Sequence, residues 1–202
     1  LHSLIDSHPE VSTLPSVYLR GFFDAGVWSR ISADGWRGLP NQFANEFAVL
    51  FDANSAKLTP GGPKKYSFKL GLKEGMTIVG ENRDEALSLD RDEFCSEVLR
   101  IMKRLNKVDP GIFLRIVDSA YEKVIKTKTK KQTAFYHIHN PDDFCKLNFL
   151  RYAPEARLLM TVREPIQNCE SWLRTTFNEN DYDGTVQRII TLLFAIDQVA
   201  FR

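Results

Sequence analysis

An α/β fold, a parallel sheet with helices packed on it, is what the second half of this 202-residue chain predicts. From residue 133 onward, short apolar runs alternate with helical patterns across brief connections, and such alternation is the pattern of parallel βα units. The intervening segments also carry helix start signals and apolar residues at helical spacing.

In chain order, residues 1–7 place Leu1, Leu4 and Ile5 at helical spacing and stop before His8-Pro9, where proline disfavours helix in the preceding residue. No N-cap or first turn precedes them, so they read as the tail of a helix begun upstream. Residues 11–14 form a short extended run. Residues 18–36 are rich in aromatics, with glycines at 21, 26 and 35. Residues 41–51 have apolar side chains at 43, 47, 50 and 51 and predict an amphipathic helix. Residues 52–89, rich in Pro, Gly, Asn and Lys, read as an irregular surface excursion with at most a short strand at 66–70. Residues 91–105 predict a helix presenting Phe94, Val98, Ile101, Met102 and Leu105 on one side. Asp109-Pro110 opens the next as N-cap and first helical residue, followed by Ile112, Ile116, Val117, Ala120 and Val124. After a basic turn at 126–131 come a strand at 133–138, a helix at 141–152, a strand at 157–162, and helices at 165–176 and 182–201. Length fits a single domain spanning 1–202.

The 43% hydrophobic and 26% charged content is that of a globular chain in water. No apolar run approaches the roughly 20 residues that span a bilayer; the longest, 189–200, is interrupted by Asp197 and Gln198. A net charge of +1 argues against a general nucleic-acid binder. Cys95, Cys145 and Cys169 are odd in number and far apart, which suits free thiols in a reducing compartment. A cytoplasmic location is expected, although the first residue is Leu1 rather than Met and an upstream targeting segment stays open.

In open α/β sheets ligands bind at the carboxyl ends of strands. Two strand ends stand out here: Tyr136-His-Ile-His-Asn-Pro141, and Leu158-Leu-Met-Thr-Val-Arg-Glu-Pro165 with Ser171, Trp172 and Arg174 beyond it. Arg163 leaves its strand where the helix begins, and Ser171 lies about 9 Å along that helix from Pro165. A guanidinium arm covers that gap, so Arg163 and Ser171 can converge on one phosphate, a group that suits arginine's planar fork. An arginine in a local salt bridge beside a solvent-facing serine is the plainer account, and on spacing alone it has the better claim.

Leu159-Met-Thr-Val-Arg-Glu-Pro165 followed by Ser171 resembles the 3′-phosphate-binding segment of sulfotransferases that use 3′-phosphoadenosine 5′-phosphosulfate (PAPS). In that family a strand ends in Arg-(Asn/Asp)-Pro and a serine eight residues on joins the arginine; Glu164 here departs from the pattern. The opening, Leu1-His-Ser-Leu-Ile-Asp-Ser-His-Pro-Glu-Val-Ser-Thr-Leu-Pro15, is similar to the stretch that follows the glycine-rich phosphate loop of bacterial and glycan-type members. The resemblance covers residues 1–15 and about 133–176. It implies a P-loop-like three-layer sandwich with a central parallel sheet flanked by helices, incomplete here. The phosphate loop would precede Leu1, further nucleotide contacts would follow Arg202, and the chain as it stands is expected to bind PAPS poorly.

The same resemblance implies PAPS as co-substrate, no metal, and Arg163 and Ser171 on the nucleotide. Its acceptor is open between glycan, lipid, protein and small molecule. His139 is the candidate base, falling where soluble members carry a Lys-Thr-His-Leu-Pro-like segment; an alternative alignment sets it on a lysine instead. His137 and His139 share a strand face about 6.6 Å apart, and no third ligand is spaced to complete a metal site. Two hydrogen-bonded strand-end histidines remain an equal account of them. The aromatics Tyr18, Phe22, Phe23, Trp28 and Trp36 suit a core, an acceptor wall or an adenine platform, the core being the commoner use. Two other functions stay open: a non-catalytic interaction module on the same fold, and a P-loop kinase-like phosphotransferase. The strand at 158–162 ends in Arg163 rather than an aspartate, which counts against the second.

Overall fold

The computed structural model describes residues 5, 8–14, 19, 21–53, 82, 84–126, 129–136, 143–157, 159, 167, 170–171 and 182–200. The chain divides into two compact units, Leu1–His139 and Asn140–Arg202.

In the first unit, Ile5 is helical and its carbonyl accepts from the His8 N–H at 3.0 Å. Strand β1 (Val11–Ser12) follows. Helix α1 (Ala25–Ile31) starts at Asp24, whose carboxylate accepts from the Gly26 and Val27 N–H groups at 2.7 and 3.2 Å. Gly35, at φ +68°, makes the corner into α2 (Gly35–Glu46). Arg30 and Glu46 tie the two helices at 2.8 Å. A 3₁₀ turn (Ala48–Leu50) closes this arm.

Helix α2 begins six residues before the expected 41 and stops at Glu46. Pro40 lies inside it, where a proline lacks the N–H that would bond back one turn. Leu39 and Pro40 are both buried, and the apolar contact offsets that missing bond. The expected core positions hold: Phe43, Phe47, Leu50 and Phe51 are all buried.

The chain then leaves on its excursion and returns. Ala53 N–H donates to Leu87 O at 3.0 Å and Leu89 N–H to Phe51 O at 2.8 Å, around an antiparallel bridge between Asp52 and Ser88. The expected strand at 66–70 lies outside the described residues. Helix α3 (Arg91–Met102) is capped by Asp90, which accepts from Glu93 N–H at 2.8 Å. Arg91 reaches across to α2, donating to Asn41 O at 3.2 Å and Asn45 Oδ1 at 2.5 Å. Helix α4 (Pro110–Val124) starts as its local chemistry dictates, with Asp109 Oδ1 accepting from Ile112 N–H at 2.9 Å and Pro110 in the first turn. Asp109→Ala is expected to lower stability by about 1 kcal/mol, read as a drop in the urea midpoint with an unchanged slope.

The core between these helices is largely aromatic. Phe43, fully buried, meets the rings of Phe22, Phe47, Phe51, Phe94 and Phe113 at centroid distances of 6.1, 5.0, 6.5, 6.1 and 5.5 Å. Most of these pairs are edge-to-face or tilted, the arrangement the ring quadrupole favours. Phe23 and Trp28 pack partly buried against this centre, and Trp36 is 43% exposed. Tyr121 donates from its buried hydroxyl to Leu50 O at 3.1 Å, so the polar tip is satisfied.

Strand β2 (Thr133–Ala134) runs parallel to β1, with Val11 opposite Thr133 and Ser12 opposite Ala134. The ladder comprises Gln132 and Thr133 N–H to Glu10 O at 2.8 and 3.2 Å, and Phe135 N–H to Ser12 O at 2.8 Å.

In the second unit, α5 (Asp143–Tyr152) buries Cys145 and Phe149 at i, i+4 spacing. Gln167, Glu170 and Ser171 are helical, in keeping with the helix expected at 165–176. Helix α6 (Tyr182–Ala200) matches its expected span, burying Ile189 and exposing Ile190, Leu193 and Phe194. Among the described residues no helix is long and apolar enough to cross a membrane.

The class is therefore mixed helix and sheet, mainly helical, with a small parallel sheet. Among the described residues that sheet is a single pair of strands. Of the strand expected at 157–162, Arg157 and Leu159 carry no ladder, and Leu159 is 67% exposed. An apolar run reads the same whether or not a neighbouring strand pairs with it; the remaining positions, 158 and 160–162, lie outside the described residues.

Candidate functional site

Of the residues singled out from the sequence, His139, its neighbour His137 and Arg163 lie outside the described residues. Ser171 is helical and half-buried. Strand β2, which leads towards His137 and His139, is formed; Tyr136, just beyond it, donates from its hydroxyl to Leu114 O at 3.3 Å.

What the fold does bring together is a polar cluster where β1 meets α4. Ser12 is 1% exposed, the one buried polar side chain among the described residues. Strand alternation turns it inward between Val11 and Thr13. Its Oγ lies 2.8 Å from Asp118 Oδ1 and 2.5 Å from Glu122 Oε1. Asp118 and Glu122 stand four apart on α4, so one helical face carries both carboxyls towards the strand. Burial, first, and the neighbouring Glu122 push the Asp118 carboxyl up to about 6, while the hydrogen bond from Ser12 pulls the other way. Burial and then Asp118 drive the Tyr136 phenol well above its ordinary value, with Arg115 opposing. Burial and then Glu122 likewise raise Tyr121.

Such a cluster can hold a proton and fix a strand to a helix. Among the described residues no three His, Cys, Asp or Glu side chains gather to hold a metal ion. Its sequence signal was faint: two acids at i, i+4, on a helix whose apolar face already accounts for its packing. The strand serine that unites them is 106 and 110 residues away.

Cys95 and Cys145 are buried, and burial, more than its charged neighbours, pushes the Cys95 thiol up. Cys169 lies outside the described residues. The basic turn also has a structural use, for Lys131 donates to His8 O at 2.8 Å and helps seat β2 beside β1.

No protein-family model, curated protein or solved structure matches the chain.

Proposed function

We propose that this chain is part of a PAPS-dependent sulfotransferase. The parallel pairing of Val11–Ser12 with Thr133–Ala134 carries the reading. It sets the segment after Ser7-His-Pro-Glu-Val11, one half of the sequence resemblance, beside the strand that runs towards His137-Ile-His139-Asn-Pro141. Parallel neighbours direct their carboxyl ends to the same side, and ligands of α/β sheets bind there. The helical state of Ser171 supports the second half of the resemblance, in which Arg163 and Ser171 bind the 3′-phosphate of the nucleotide. A three-layer P-loop-like sandwich and a cytoplasmic setting belong to the same proposal.

In the proposed reaction an acceptor oxygen or nitrogen attacks sulfur in line. The bond from sulfur to the 5′-phosphate oxygen breaks, and adenosine 3′,5′-bisphosphate departs with that oxygen's charge. His139 takes the acceptor's proton on its imidazole. Arg163 and Ser171 hold the nucleotide so that attack is aligned, which supplies rate by position and electrostatics.

Calorimetric titration of the full-length protein with adenosine 3′,5′-bisphosphate tests this. Binding with a dissociation constant on the order of micromolar is the expected result. A folded full-length protein that takes up no nucleotide would overturn the reading and favour a non-catalytic interaction module.

A further inference from the structure

A serine hydroxyl has one hydrogen, yet Ser12 Oγ has a carboxyl oxygen at 2.8 Å and another at 2.5 Å. It can donate to one of them. The other holds that distance by bringing a hydrogen of its own, because two ionised carboxylates against one buried hydroxyl leave a lone pair facing a charge.

We propose that Asp118 keeps its proton against Ser12 Oγ while Ser12 donates to Glu122, and that this proton is a pH-sensitive latch fastening β1 to α4. With the proton in place, one carboxyl donates to Ser12 Oγ and Ser12 donates to the other. When it leaves, the hydroxyl serves one carboxylate and the second is repelled. The strand moves with its side chain: Ser12 O accepts the Phe135 N–H at 2.8 Å, so loosening Ser12 loosens the β1–β2 ladder. The charged and titratable groups acting on the cluster are Arg115 and Tyr121 on α4 and Tyr136 after β2. Both phenols are shifted upward and stay neutral throughout the range in which carboxyls titrate.

The direction of the effect follows from linkage. Asp118 binds its proton more tightly folded, up to about 6, than unfolded, about 3.9. Its stabilising contribution is therefore complete below the unfolded value and is lost as pH rises through the folded one. The latch is closed in acid and opens towards neutrality. This inference is independent of the nucleotide reading.

The test is a carbon-13 titration of the side-chain carboxyls, with amide exchange at Phe135 and thermal midpoints, from about pH 4.5 to about pH 7.5. The Asp118 carboxyl should titrate in the middle of that range, near about 6, and exchange at Phe135 should quicken as it does. Asp118→Asn, whose amide keeps a donor for Ser12 Oγ at every pH, should flatten both the exchange and the midpoint profiles. An Asp118 carboxyl fully ionised at about pH 5, or an Asp118→Asn protein that keeps the parental slope, would overturn the latch. If that variant does not fold, the titration of the unaltered protein still decides.

Discussion

Phe43→Ala is expected to cost about 3–5 kcal/mol, much of the 5–15 kcal/mol that holds a typical domain together. The side chain is fully buried, and the rings of Phe22, Phe47, Phe51, Phe94 and Phe113 surround it. Those partners come from the segment before α1, the turn after α2, α3 and α4, so truncation opens a cavity where separate elements meet. Backbone on several sides limits its collapse, which puts the cost towards the upper end of the range. Urea unfolding should show a large fall in midpoint. Phe43→Leu, which keeps most of the apolar volume, should lose less, and Trp36→Ala at the exposed rim should fall within about 0.5 kcal/mol of the parent. A Phe43→Ala protein as stable as the Trp36→Ala one would mean that the aromatic centre does not hold this unit.

The second large effect concerns nucleotide binding. Under the sulfotransferase reading, Arg163→Ala in the full-length protein should weaken adenosine 3′,5′-bisphosphate by tenfold or more, about 1.4 kcal/mol or greater. The guanidinium can donate two parallel charge-assisted bonds to a phosphate, each stronger than a neutral pair. Arg163→Lys should recover only part of the loss, since an ammonium supplies charge without the fork. Ser171→Ala, which removes one neutral donor, should weaken binding less than Arg163→Ala does. An unchanged thermal midpoint without nucleotide would separate lost binding from lost folding. Equal affinity in Arg163→Ala and parent would place Arg163 in local structure, the plainer account its spacing allows.

The helices show where pattern suffices. Asp109-Pro110 announces α4, and the cap is made within three residues by the side chain that announces it. In α2 the pattern misled at both ends: the helix starts at Gly35 rather than 41, running through Pro40, which is buried with Leu39, and it stops at Glu46 rather than 51. The aromatics at 22, 23 and 28 are compatible on paper with a core or a ligand wall, and Phe22 against Phe43 and Phe113, Trp28 against Phe113 and Phe23 against Phe22 place them in the core.

The candidate site divides in the same way. Ser12 sits in a segment legible as extended, and Asp118 in one legible as helix. Nothing in either segment names the other, because the bond joins residues 106 apart. The sequence by itself determined the Asp109 cap, the amphipathic faces and the class of helix with parallel strand, because hydrogen bonds and packing that close within a turn depend on neighbours in the chain. Only the tertiary structure decided that β1 pairs with β2 and that two acids of one helix meet one strand serine. Strand partnership and the desolvation of a carboxyl are set by whichever distant segment arrives alongside, and local periodicity carries no term for that.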